Sequence, residues 1–359
     1  MMPSLFKKLI ALVMGLAIVL ILAEILLSIG RDNYWVRSGR SIKLKEHIPG
    51  INRSYSREGI SGNIKGKVSF RTDKEGFILP NLMENSDLSN AHLTIAFLGG
   101  STTECLIVNE DSRFPVLVGS NLKSALKRDI LVINAGCAGD TLQDSINSLF
   151  NKIINYKPDV VAMMHAINDA GLLLVKGNYR ERMIQEPDNS FRAIFRILTT
   201  KSNLLGFLRD KYAQVSINRE VIANAKRINN QGIKTPASKE FTNLRDAVFE
   251  FGIRLKVFID MCNDFGITPV LMTQPFMNKP DRELNEYEIK TFLSGMSFLE
   301  PFNDEIRKIC AEKGALLIDL EKQMPKAEKY FYDEVHFTDD GSILISDIIA
   351  GDLAKILRK

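Results

Sequence analysis

A serine at a strand end can carry covalent chemistry if a histidine and an aspartate stand ready to activate it, and the spacing of these residues narrows which copies can act together. In LTIAFLGGSTTECL, residues 93–106, an apolar run passes through Gly99 and Gly100 into Ser101, which puts a hydroxyl at the end of a strand. Activating a serine needs a base for its proton, a group that orients the base, and donors for the developing oxyanion. The chain has four histidines, so the search for the base is short. His47 and His92 precede the first strand of the main pattern. His165 follows the apolar run VVAMM and reads more simply as a buried hydrogen-bonding residue. His336 lies in DEVHFTDDG, where Asp333, three residues earlier, can accept a hydrogen bond from the imidazole across a turn and fix its tautomer. Ser101, His336 and Asp333 are therefore the expected nucleophile, base and orienting carboxylate.

Oxyanion donors are sought in the same way. The N–H of Ser101 can point into the site if Ser101 opens a helix or turn. Gly139, in AGCAGDT, lets a backbone N–H approach a substrate closely because it has no side chain. Asn168, in AINDA, offers a neutral amide. A competing reading makes Ser101 only a helix cap, with Glu104 as its capping-box partner. Thr103 stands where a GxSxG elbow needs its second glycine, and no Gly-Lys-Ser/Thr follows for a phosphate loop.

These residues can meet only if the elements carrying them share an edge. The segments 93–98, 130–134, 160–165, 267–273 and 315–319 are short, apolar and bounded by glycine or polar residues, which is how strands buried on both faces read. Helical patterns lie between them near 112–128, 141–156, 244–265 and 300–313, with a last one at about 340–357. Such alternation predicts an α/β fold with a parallel sheet of about five strands covered on both faces. The ligand site of such a sheet lies at the carboxyl ends of its strands. GGSTTE, AGCAGDT, AINDA, QPF and DEVHFTDDG each follow a strand, so the five clusters converge on one edge.

Before this domain stands LIALVMGLAIVLILAEILLSI, preceded by Lys7 and Lys8 and about as long as a bilayer core requires. Its apolar core exceeds the 7–15 residues typical of a cleaved signal peptide, so an uncleaved single-pass membrane anchor over residues 1–30 is expected. Arg31, Arg37, Arg40, Lys43 and Lys45 outnumber the two preceding lysines, and charge alone leaves the orientation open. Residues 31–92 read as a stalk and small β-rich cap, with strand-like pieces at 67–71 and 76–79. The main α/β domain spans 93–359, with an insertion at about 172–243. That insertion holds the apolar, basic segment FRAIFRILTTKSNLLGFLRDKY, where Phe191, Ile194, Phe195, Leu198, Leu204, Leu205 and Leu208 could form one helical face or two. It is expected to be a helical hairpin packed on the core; the alternatives are a lid or a surface resting on the membrane through Lys201, Arg209 and Lys211.

A length of 359 residues, 45% of them hydrophobic, suits a large globular core. The net charge of +4 arises from 47 basic and 43 acidic residues that are intermixed, so no nucleic-acid partner is expected. Cys105, Cys137, Cys262 and Cys310 have no metal-like spacing and are expected as buried thiols. Neither a metal nor a cofactor is expected.

GGSTTE around Ser101, NAGCAGDT around Gly139, AINDA around Asn168 and DEVH with Asp333 and His336 together resemble the four ordered blocks of the SGNH, or GDSL-type, hydrolases. The resemblance covers roughly residues 93–357, less the insertion. It implies a flavodoxin-like α/β/α sandwich and an esterase, lipase, thioesterase or carbohydrate acetylesterase activity. Block by block it places Ser101 as nucleophile, Ser101, Gly139 and Asn168 in the oxyanion hole, and Asp333 and His336 as the other triad members. Two positions depart from the family pattern: Gly100 replaces its Asp, and Ala166 replaces the Gly of its GxND block. The expected function is a membrane-anchored, extracytoplasmic serine esterase that removes acetyl groups from an envelope carbohydrate. A lipase or lysophospholipase, a glycan acyltransferase, and a glycan-binding module are the alternatives, so the expected partner is an acylated carbohydrate or a lipid ester.

Overall fold

The computed structural model describes residues 4–30, 42, 44–58, 66–81, 93–180, 202, 204–205, 208, 243–277 and 298–358. They fall into two compact units, Met1–Ile42 with Ile184–Val221, and Lys43–Met183 with Ile222–Lys359.

The first unit contains helix α1, Ser4–Gly30. Its segment Phe6–Leu27, with a mean hydropathy of 2.9 and none of it buried, is the one helix among the described residues long and apolar enough to cross a membrane. By length and composition it suits an anchor or a signal sequence equally. Glu24, near its distal end, has partners: its carboxylate accepts from Ser202 Oγ at 2.8 Å and from Leu204 N at 3.0 Å. The other insertion residues singled out in the sequence, Phe191, Ile194, Phe195, Leu198, Lys201, Arg209 and Lys211, lie outside the described residues, as does His92.

The second unit begins with an antiparallel ribbon, β1 (Asn52–Ser56) against β2 (Lys67–Arg71). The strand-like piece at 76–79 contributes only one bridge, between Thr72 and Ile78. Asp73 is the reason: its Oδ1 accepts from the N–H groups of Glu75 and Phe77, and Gly76 takes φ +83°, so the chain turns there instead of extending. There follow β3 (Leu93–Gly99), the single turn α2 (Ser101–Glu104), α3 (Phe114–Leu126), β4 (Ile130–Asn134), α4 (Leu142–Asn151), β5 (Val160–Met164) and α5 (Ile167–Lys176). After the insertion come α6 (Leu244–Asp264), β6 (Thr268–Met272), α7 (Leu299–Lys313), β7 (Leu316–Ile318), the short α8 (Leu320–Gln323) and α9 (Asp339–Leu357).

The five main strands pair in the order β4-β3-β5-β6-β7, all parallel. This is the flavodoxin-like order, with the chain reversing direction across the sheet beside β3. Every residue of β3, β4 and β5 is buried, which explains why their sequences are apolar apart from Thr94 and Asn134. One core lies against α4, α5, α6 and α7, through residues such as Leu149, Leu173, Phe251 and Phe302. The second lies against α3 and α9, through Val118, Leu122, Ile345 and Leu353. Two cores, one on each face of the sheet, make the three layers expected of the α/β/α class. The layers also fix where β3, β4, β5 and the loop before α9 release the chain, and that is where the chemistry gathers.

Candidate active site

Ser101 stands where β3 ends. Gly99 and Gly100 carry the chain around the strand end, and the turn closes as Thr103 N and Glu104 N both donate to Gly100 O at 3.0 Å. Cys105, at φ +54°, stops the helix after one turn. Ser101 is the first residue inside this turn, and Gly100 occupies the cap position. The capping-box reading therefore fails. The Ser101 hydroxyl points at a histidine, and the Glu104 carboxylate lies against His47. As the first residue of a helical turn, Ser101 has an N–H with no intrahelical acceptor.

The glycines here are demanded by close approach. A Cβ on Gly99 would stand 2.2 Å from Thr103 Oγ1, and one on Gly100 2.6 Å from Asn168 Nδ2. Gly136, which the sequence reading did not single out, makes the closest approach to the backbone of this turn. Its Cβ would stand 2.5 Å from Glu104 N and 2.7 Å from the Thr103 carbonyl carbon, both backbone atoms.

The three-residue spacing of Asp333 and His336 has a local cause. Asp333 Oδ1 accepts from Val335 N at 3.0 Å and His336 N at 2.8 Å, so the side chain closes its own turn. Its other oxygen, Oδ2, lies 2.7 Å from His336 Nδ1, and His336 Nε2 lies 2.7 Å from Ser101 Oγ. The network assigns the Nδ1–H tautomer, leaving Nε2 to accept the serine proton. Tyr332 stacks on the imidazole at 5.5 Å between ring centroids and 9° between planes. Beyond the loop, Arg57 from the segment after β1 grips both carboxylate oxygens of Asp339, at 3.0 and 2.9 Å, and so fixes the start of α9.

Burial is the largest influence on both members of this pair and works against both charges. For His336 the charge and hydrogen bond of Asp333, with Glu104 and Glu334 nearby, outweigh burial and raise its pKa above the ordinary histidine value. For Asp333 burial is outweighed by the His336 charge and by hydrogen bonds from His336 and Val335, so its carboxyl is held below the ordinary range.

Asn168 is the second residue of α5, a helix absent from the sequence reading, which assigned no element between the third strand and the insertion. Its Nδ2 donates to Asp140 O at 2.8 Å, leaving the second hydrogen of that amide for another acceptor. Next to it, Asp169 Oδ1 accepts from Leu142 N at 2.9 Å, so the Gly139–Asp140 turn is tied to α5 on both sides. Gly139 itself adopts φ +72°, a conformation that glycine takes without strain. Ser101, Gly139, Asn168, Asp333 and His336 thus gather at one edge of the sheet, at the carboxyl ends of β3, β4 and β5 and in the loop before α9.

His165 does not join them. Its Nε2 lies 2.7 Å from Ser145 Oγ and its Nδ1 3.6 Å from Asp169 Oδ2, all three side chains being buried. It is a core hydrogen-bonding residue. The four cysteines are free and buried, and burial pushes the thiols of Cys105, Cys262 and Cys310 up to about 12. Among the described residues no group of His, Cys, Asp and Glu could hold a metal ion.

Compared with known proteins, residues 97–342 match the GDSL-like lipase/acylhydrolase family. No curated protein matches the chain. Solved structures similar to it include a lipase/acylhydrolase from Enterococcus faecalis, at 17% identity over 73% of this chain and 96% of that one, with a TM-score of 0.41. An acetylxylan esterase from Geobacillus stearothermophilus is 16% identical over 73% and 94%, with a TM-score of 0.43. An alpha/beta hydrolase enzyme from the metagenome of Lake Arreo, Spain, is 16% identical over 73% and 95%, with a TM-score of 0.42. None of the three speaks to the substrate of this chain.

Proposed function

This chain belongs to the GDSL-like lipase/acylhydrolase family and is a serine ester hydrolase, and from that premise we propose that Ser101, His336 and Asp333 catalyse removal of a small acyl group, acetyl foremost, from an envelope carbohydrate. The observation that carries the assignment of roles is the unbroken chain of 2.7 Å contacts from Ser101 Oγ through the imidazole to Asp333.

The steps follow from this geometry. His336 Nε2 takes the Ser101 hydroxyl proton as Oγ bonds to the ester carbonyl carbon, and Asp333 holds the imidazolium through Nδ1–H. The negative charge moves onto the carbonyl oxygen, where the N–H groups of Ser101 and Gly139 and the free amide hydrogen of Asn168 receive it. Each such donor contributes roughly a hundredfold or more to turnover. The intermediate collapses by breaking the bond to the alcohol oxygen, which leaves with the proton from His336. Water then loses a proton to the same nitrogen and attacks the acyl-serine. A second collapse releases the carboxylic acid and returns the proton to Ser101 Oγ.

Membrane anchoring by Phe6–Leu27, with the catalytic unit on the extracytoplasmic side, belongs to the same proposal. The length and apolarity of that helix support the anchor. The anchor and the family tendency together motivate the carbohydrate substrate. Rates on p-nitrophenyl acetate, butyrate and octanoate, measured with the full-length chain in detergent micelles, test the acyl preference. The proposal expects the acetyl ester to be fastest; a rate rising toward octanoate would replace the deacetylase reading by a lipase or lysophospholipase. Ester turnover that appears only with an added sugar acceptor, and yields acylated sugar, would identify a transferase.

A further inference from the structure

Three consecutive side chains near the start of the catalytic unit, Lys45, Glu46 and His47, each lie against a buried ionisable side chain of the same unit. Lys45 Nζ lies 3.2 Å from Asp140 Oδ1, Lys152 Nζ lies 2.6 Å from Glu46 Oε2, and His47 Nε2 lies 2.9 Å from Glu104 Oε1. The partner side chains Asp140, Lys152 and Glu104 are 3, 5 and 4% exposed. The segment has no regular secondary structure of its own, so its conformation is set by what it touches. Leu44 is buried beside it, the His47 ring meets Phe70 edge-on at 5.0 Å, and a Cβ on Gly76 would stand 2.2 Å from the His47 carbonyl oxygen.

Two of the three partners belong to the active-site elements. Asp140 follows Gly139, and its carbonyl receives the Asn168 amide. Lys45 Nζ itself stands over Gly139, 3.1 Å from where a Cβ there would be. Glu104 ends the turn that Ser101 opens, and it is among the groups that raise the His336 pKa. Neither Asp140 Oδ1 nor His47 Nε2 is aligned for a hydrogen bond, so Lys45 acts through its charge and His47 through packing. The Glu46–Lys152 pair has no such link to the site; it fastens the middle of the segment.

We propose that residues 44–48 form a positioning strap for the active site. Lys45 holds the Gly139–Asp140 turn, so that the Gly139 N–H and the Asn168 amide converge on one oxyanion. His47 holds Glu104 and with it the turn that carries Ser101. Neither is a catalytic residue. The inference rests on the roles assigned above to Ser101, Gly139 and Asn168. Displacements of about 1 Å at such a site cost on the order of a hundredfold in rate.

The test uses the full-length protein in detergent micelles, comparing wild type with Lys45→Met, Lys45→Arg and His47→Gln. It reads the rate of covalent labelling by a fluorophosphonate probe, kcat and KM on p-nitrophenyl acetate, and the thermal unfolding midpoint. The strap predicts that Lys45→Met and His47→Gln lower the labelling rate and kcat by about ten- to a hundredfold with KM little changed, and that Lys45→Arg restores most of the loss. Folded Lys45→Met and His47→Gln proteins that label at the wild-type rate would overturn it and leave the segment a structural contact. If Lys45→Met does not fold, His47→Gln decides by the same readings. Wild-type protein that fails to label would instead refute the serine nucleophile, a separate failure.

Discussion

Gly136→Ala adds one methyl group outside the catalytic groups, and the structure specifies where it must go. The new Cβ would stand 2.5 Å from Glu104 N and 2.7 Å from the Thr103 carbonyl carbon. Ordinary contact begins near 3.4 Å, so Glu104 N must move away by about 0.9 Å and the Thr103 carbonyl carbon by about 0.7 Å, and neither belongs to a flexible side chain that could swing away. The turn Ser101–Glu104 bears this displacement because β3 and β4 are locked into one sheet by five paired positions. Moving that turn disturbs the 2.7 Å contact between Ser101 Oγ and His336 Nε2. We expect kcat on p-nitrophenyl acetate to fall about a hundredfold, the usual cost of a displacement near 1 Å. Overpacking should also lower stability by about 1–3 kcal/mol. Gly171→Ala is the control: a Cβ there meets nothing within 4 Å, and in α5 it should be neutral or stabilising by up to about 1 kcal/mol. Steady-state kinetics and thermal unfolding of both variants check this. Unchanged kcat and unfolding midpoint in Gly136→Ala would refute the packing argument for the nucleophile turn.

Other perturbations address the base and its surroundings. Because Asp333 holds the His336 pKa above the ordinary value of about 6.5, kcat/KM should rise with pH through a midpoint above that value. Asp333→Asn should move the midpoint down and reduce kcat by about 10⁴, and a variant whose pH profile superimposes on wild type would contradict the pairing. The same pair sets a stability window. Asp333 contributes above its unfolded value and loses its contribution as pH falls through its lowered folded value, whereas His336 contributes below its unfolded value and loses its contribution as pH rises through its raised one. The difference in unfolding midpoint between wild type and Asp333→Asn should therefore be largest at mildly acidic pH and shrink toward either extreme. His165→Leu should cost about 1–3 kcal/mol by leaving Ser145 and Asp169 short of a buried partner, with kcat within a few-fold of wild type. Loss of activity without loss of stability would make His165 functional after all.

The strands were legible because burial on both faces leaves no polar alternation, so Leu93–Gly99, Ile130–Asn134 and Val160–Met164 stand out as apolar runs ended by glycine, asparagine or histidine. The loop of Asp333 and His336 was legible because the carboxylate closes its own turn, which makes three-residue spacing meaningful without the rest of the chain. Helix α5 was missed because Asn168, Asp169 and Gly171 are weak helix formers. It exists through tertiary contacts of Ala170 and Leu173 with the core. Strand β1 was missed because NRSYS is polar and half exposed, and it becomes a strand only by pairing with β2. The contacts of Lys45 and His47 had no local signal, since their partners are distant in sequence and were expected in other roles or none. Gly136 looked like any loop glycine until the backbone of the Ser101 turn was placed against it.

The central claim is that the acyl group passes through Ser101. The most direct measurement is acid quench of the full-length protein during turnover of p-nitrophenyl acetate, followed by mass analysis of its peptides, with Ser101→Ala run in parallel. The account predicts one acetylated peptide, the one containing Ser101, absent from the variant, whose turnover should fall by several powers of ten. Acetylation at another residue, or a Ser101→Ala protein that turns over at the wild-type rate, would contradict it.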